Sequence, residues 1–125
     1  MNEIRSQQGQ DPLGSDVTVA SVARAHSEDM ADRDYFAHTN PDGEQPWDRY
    51  GDVADSPCRT FGENIAMVTV GPDATEDSVA NRVVDMWMDS SGHRQNILSA
   101  AWNEEGIGVY VTDGGEVYVT QNFCG

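Results

Sequence analysis

The last third of the chain constrains the fold most. Ile107, Val109 and Val111 alternate with Gly108 and Tyr110, and Val117, Val119 and Gln121 alternate with Tyr118, Thr120 and Asn122. Between the two runs lies Asp113-Gly114-Gly115, a turn signal, so the segment reads as a β-hairpin. A hairpin alone is marginal in water and must bury a face. Two helical patterns can cover it. From Val17, with Ser15 or Asp16 as N-cap, the residues Val19, Val22, Ala23, His26 and Met30 form one apolar stripe, which predicts an amphipathic helix over 17–33. A second helix is expected after Asp73, with Glu76 in the capping-box position, an inner stripe of Val79, Val83, Met86, Trp87 and Ser90, and Gly92 near its end. Helices flanking a small sheet make an α+β layered domain, expected to be one domain over residues 1–125.

Other segments are less regular. Ser6 to Ser15 is polar and reads as a loop, Asn40-Pro41-Asp42-Gly43 is a turn, and Pro46 can open a single helical turn through Tyr50. Thr60 to Val68 reads as a strand, with Glu63-Asn64 set into an otherwise apolar run. No apolar run is long enough for a membrane-spanning helix.

Charge removes several function classes. Acids number 22 against seven cations, a net charge of −15. Binding to nucleic acid or anionic lipid needs Lys and Arg against phosphates, so neither is expected. All seven cations are Arg, Lys is absent, and fourteen of the acids are Asp. Such a surface repels itself in dilute buffer and is screened in strong salt, which predicts a salt-adapted protein of halophilic origin.

Three histidines are present. His26 lies on an apolar stripe and reads as a packed core residue. His38 follows Tyr35-Phe36-Ala37 where packed structure gives way to a turn, and His93 sits in Ser90-Ser91-Gly92-His93-Arg94, read as a helix C-terminus that would favour its cation. Glu63 is the acid that must point into packed surroundings, where a carboxylate needs a partner. Two loop histidines and one inward Glu can build a divalent-metal site or simply tie loops together. Cys58 and Cys124 can pair or remain buried thiols. Cys58 precedes the run around Glu63 and Cys124 closes the final strand, so neighbouring strands would join them, and a bridge is expected. In chain-entropy terms it contributes about 4 kcal/mol. The polar start Met1-Asn2-Glu3-Ile4 lacks the apolar region of a secretory leader, so the protein is either cytosolic or lacks its leader in this chain.

Taken together, the segments Ala25-His26-Ser27-Glu28-Asp29-Met30, Tyr35-Phe36-Ala37-His38-Thr39-Asn40-Pro41-Asp42-Gly43, Gly62-Glu63-Asn64-Ile65-Ala66 and Met86-Trp87-Met88-Asp89-Ser90-Ser91-Gly92-His93-Arg94-Gln95-Asn96-Ile97-Leu98, with Gly106-Ile107-Gly108-Val109 and Tyr118-Val119-Thr120-Gln121-Asn122-Phe123, resemble the CAP superfamily in its prokaryotic, SCP-like extracellular branch. The resemblance implies a three-layer α-β-α sandwich with a small, mainly antiparallel sheet. It also implies a cleft of two histidines and two acids, in which His38, Glu63 and His93 match three positions. In the eukaryotic branch the fourth is a Glu three residues after the helix Trp. Here that place, after Trp87, is Ser90, and Asp89 stands one step earlier, about 100° around the helix.

The resemblance further implies a divalent cation, zinc by preference, on His38 and His93, with Glu63, Ser90 and Asn64 around them, and an extracellular or cell-surface location. The first expectation is a monomeric binding module for an unidentified ligand or protein partner. A hydrolase with Glu63 as general base comes second, limited because catalytic zinc usually has three protein ligands. A lipid or sterol carrier comes third, since no contiguous exposed apolar segment is evident in the sequence.

Overall fold

The expected hairpin forms the middle of a four-stranded sheet. A computed structural model describes residues 1–125. Its elements in chain order are α1 (Asn2–Gln7), β1 (Gly14–Ser15), α2 (Val17–Asp32), α3 (Pro46–Gly51), β2 (Phe61–Thr69), α4 (Glu76–Asp89), α5 (Ser91–Leu98), β3 (Glu104–Val111) and β4 (Glu116–Cys124). Strand order is β1-β3-β4-β2. β3 and β4 pair antiparallel with Val111 opposite Val117, β2 pairs antiparallel along the other side of β4 with Glu63 opposite Asn122, and β1 adds a short parallel edge. β4 is therefore central, and Val117 through Phe123 are all buried.

α2 covers one face of the sheet, and α4 and α5 pack against the other, which gives the three-layer α-β-α sandwich. The α2 stripe is as expected: Val19, Val22, Ala23, His26 and Met30 are buried. Fully burying a side chain of this size stabilises by roughly 1.5–3 kcal/mol. α2 comes close because β3 offers it glycines. A Cβ on Gly106 would overlap the backbone of Ala20, and one on Gly108 the backbone of Arg24. Ser27 seals the contact, donating from Oγ to Gly108 O at 3.0 Å and lying 2.8 Å from Thr120 Oγ1. On the other face Val83, Trp87 and Ile97 pack on Ala66, Val68, Val117, Val119 and Phe123. The Trp87 indole donates to Ile65 O at 3.0 Å.

Several boundaries differ from the sequence reading. Ser6 belongs to α1, and Gly14–Ser15 forms β1 rather than loop. The cap of α4 is Thr75, paired reciprocally with Ser78, while Asp73 lies in the preceding turn. α4 stops at Asp89, and Ser90 becomes the N-cap residue of a new helix. Gly92 and His93 therefore open α5 instead of closing α4. α5 in turn ends on Arg5, which is 1% exposed. Its guanidinium donates to Asp11 O at 2.8 Å and to Ile97 O at 2.7 Å and Ser99 O at 2.9 Å, the last two being carbonyls that the end of α5 leaves open. Cys58 and Cys124 form a disulfide, beside the register in which Phe61 faces Cys124.

Candidate functional site: a two-histidine cleft at the start of β2

Successive side chains of a strand point to opposite faces, so adjacent polar residues serve two layers. That accounts for Glu63-Asn64 inside an apolar run. Glu63 points to the α2 side. Its Oε1 accepts from His38 Nδ1 at 2.8 Å, and its Oε2 accepts from Asn122 at 2.9 Å. Arg49 Nη2 donates to both oxygens, at 3.2 and 3.1 Å. Asn64 points to the α5 side, donating to His93 O at 3.2 Å and accepting from Asn96 at 3.0 Å. One dipeptide thus holds both histidine-bearing segments.

His38 is half exposed, in the loop between α2 and α3, while Glu63 is buried. Burial pushes the Glu63 carboxyl up, but His38, Arg49, His26 and Asn122 together outweigh it and hold it below the ordinary carboxylate value. An ionised carboxylate only accepts, so His38 Nδ1 carries the proton and Nε2 is left with a lone pair. His93 Nδ1 lies 2.9 Å from Ser90 Oγ, which likewise leaves Nε2 as its free nitrogen. His93 titrates below the ordinary value because of its burial and then the charge of His38 nearby. The expectation of a favoured cation there is overturned: His93 stands in the first turn of α5, where the helix dipole opposes positive charge.

His26 is core, as expected, yet it touches the site. Its Nε2 donates to Ala37 O at 2.9 Å and lies 3.7 Å from Glu63 Oε1. Burial holds its pKa down, against the pull of Glu63. Ser90 lies against the His93 ring, whereas Asp89 is exposed at the end of α4. Arg49 and Asn122 are the site residues that sequence reasoning missed. The signal for Arg49 was its place next to the Pro46 turn, but nothing local tied it to Glu63.

A second feature corrects the sequence reading. Ile107, Val109 and Val111 stay largely exposed, and with Val79, Val83 and Trp87 they line an apolar groove of about 580 Å³ between α4 and β3.

The layered fold and this cleft define a class of protein that the comparisons identify. The family model described as CAP, the cysteine-rich secretory protein family, matches residues 1–123, and the chain belongs to that family. It is 40% identical to YkwD of Bacillus subtilis, over 99% of this chain and 44% of that protein. It is 34% identical to the B. subtilis membrane protein YlbC, over 98% of this chain and 31% of that protein. The chain thus spans less than half the length of the curated relatives it matches. Among solved structures, an extracellular SCP-domain protein of Bacillus anthracis shares 37% identity at a TM-score of 0.76, covering 98% of this chain and 37% of the other. An outer surface protein of Borrelia burgdorferi superposes with a TM-score of 0.85 at 20% identity, over 98% and 84% of the two chains, a likeness of fold. No helix here is long and apolar enough to cross a membrane.

Proposed function

We propose that this chain is an extracellular or cell-surface binding module whose cleft takes up a divalent cation, zinc by preference, on Nε2 of His38 and Nε2 of His93. The observation that carries the reading is the engagement of both Nδ1 atoms, by Glu63 at 2.8 Å and Ser90 at 2.9 Å. An imidazole whose second nitrogen is fixed by a neighbour is the usual form of a metal-ligating histidine. With Nδ1–H donating to Ser90 Oγ, His93 matches His38. The donor set fits a weak, open site. No three His, Cys, Asp or Glu side chains converge, so water or a partner's donor completes the coordination. The ion would supply an open Lewis-acid position for that donor.

Binding is favoured over hydrolysis by the state of Glu63. Both its oxygens are taken by His38, Arg49 and Asn122, which leaves it poorly placed to accept a proton from water. The location follows the extracellular relative, and the net charge of −15 without Lys suits a salt-rich medium.

Calorimetric titration with Zn²⁺ tests the site. The parent binds, and His38→Ala and His93→Ala each weaken binding at least about tenfold. Affinity falls on acidification as protons compete for the imidazoles. If the double variant binds as tightly as the parent, the ion sits on the acidic surface and the assignment is wrong.

A further inference from the structure

The loop residue His38 is gripped at two points, and its neighbour Ala37 at a third. His26 Nε2 donates to Ala37 O at 2.9 Å, Arg49 Nη2 donates to His38 O at 2.7 Å, and Glu63 Oε1 accepts from the His38 ring at 2.8 Å. Arg49 is the link among them. Its Nη2 reaches the backbone carbonyl of His38 and, at 3.1–3.2 Å, both oxygens of the carboxylate that orients the ring. Its side chain is 10% exposed, and Nε and Nη1 have no partner. All its hydrogen bonding therefore goes through one nitrogen, at a considerable desolvation cost.

We infer that Arg49 is the positioning residue of the cleft, fixing His38 in its Nδ1–H tautomer so that the Nε2 lone pair faces outward. The inference rests on the binding reading above for its purpose, but its content is a statement about the metal-free protein. One positive nitrogen placed against both the His38 carbonyl and Glu63 sets the backbone and the ring of His38 from a common point. Without it the loop loses an anchor, and Glu63 loses the donor that fixes both its oxygens beside the His38 ring. The ring can then take either tautomer. In the Nε2–H form the open nitrogen is a donor and cannot ligate.

The test is the ¹⁵N signature of the His38 ring in metal-free protein, which separates the Nδ1–H and Nε2–H forms, read beside Zn²⁺ titration. The parent shows Nδ1–H as the dominant form. In Arg49→Met the ratio of Nδ1–H to Nε2–H drops about tenfold, and zinc binding weakens by a similar factor. Arg49→Lys restores most of the ratio, because a single charged nitrogen is all the parent uses. A lone buried carboxylate can unfold Arg49→Met, so Arg49→Gln, whose amide keeps a donor for Glu63 without the positive charge, provides a second comparison. It too must show less Nδ1–H than the parent. The inference is overturned if removing Arg49 leaves the tautomer ratio of a folded protein unchanged, or if Lys is no better than Met. A parent that orders His38 as described but binds no zinc counts against the metal reading alone.

Discussion

Under α2, β3 presents Gly106 and Gly108, and the helix backbone lies directly on them. On the α4–α5 side of the sheet the same strand presents Ile107, Val109 and Val111, which remain 44%, 44% and 58% exposed. The difference follows from side-chain size at alternate positions. Glycine lets a helix approach until backbone meets backbone, and the small polar pair Ser27–Thr120 fills what remains. Branched side chains hold the opposite layer away, and α4 lies over β2 and β4, leaving β3 beside a groove. The first face specifies geometry tightly, while the second supplies apolar burial with slack.

The largest effect that can break this contrast is expected from Gly108→Val. The new side chain has no room beside Arg24, so the variant loses about 3 kcal/mol or more in denaturant unfolding, at the upper end for overpacking. A loss under 1 kcal/mol would show that α2 can slide away. Next comes Arg5→Met, on the second face, where Arg5 ties off the end of α5. The buried carbonyl of Ile97 and the partly buried carbonyls of Asp11 and Ser99 lose their donor, at a cost of about 2 kcal/mol by the same measurement.

A third effect is the pH dependence, which has a source in each layer, His26 in α2 and His93 in α5. His26 and His93 have folded pKa values below the ordinary 6.5, so the unfolded chain takes up those protons first. Stability is whole above that value and falls as pH drops through the lowered folded values. Glu63 adds a second loss further down, since its folded value lies below the ordinary 4.5. Melting temperature is followed over pH in low and molar KCl. The melting temperature rises with salt, and the acid decline is clearest in molar KCl, where repulsion among acids is screened. A salt-independent melting temperature would remove the salt-adaptation reading. The smallest effect sharpens the contrast: Val109→Thr, one residue from Gly108 but facing the groove, stays within about 0.5 kcal/mol of the parent.

Regular elements were legible because their signals are local. The stripe from Val19 to Met30 and the alternation on either side of Asp113-Gly114-Gly115 each lie within one element. What failed needed knowledge of distant neighbours. Ser90 continues the apolar stripe of α4 in sequence, yet the chain turns there to start α5, which places His93 at the positive end of a helix. Thr120, Gln121 and Asn122 are polar, and nothing local gives them partners. They are buried because β2 closes the other side of β4, and they find Ser27, Glu105 and Glu63 as partners. Arg5 and Arg49 read as surface charge, since their acceptors lie far along the chain. Three positions of the cleft, His38, Glu63 and His93, were recognisable through the family resemblance. The group that clamps His38 was not.

The Cys58–Cys124 bridge also divides the cleft by chain connectivity. Glu63 and His93 lie between the two cysteines, so a single protease cut among those residues leaves the pieces covalently joined. His38 and Arg49 lie before Cys58, linked to one another through an exposed turn at Pro41-Asp42-Gly43. A cut in that turn severs the histidine from the arginine that holds it, with no bridge to retain the fragment. Against proteases, the cleft is therefore armoured on one side and dependent on non-covalent packing on the other.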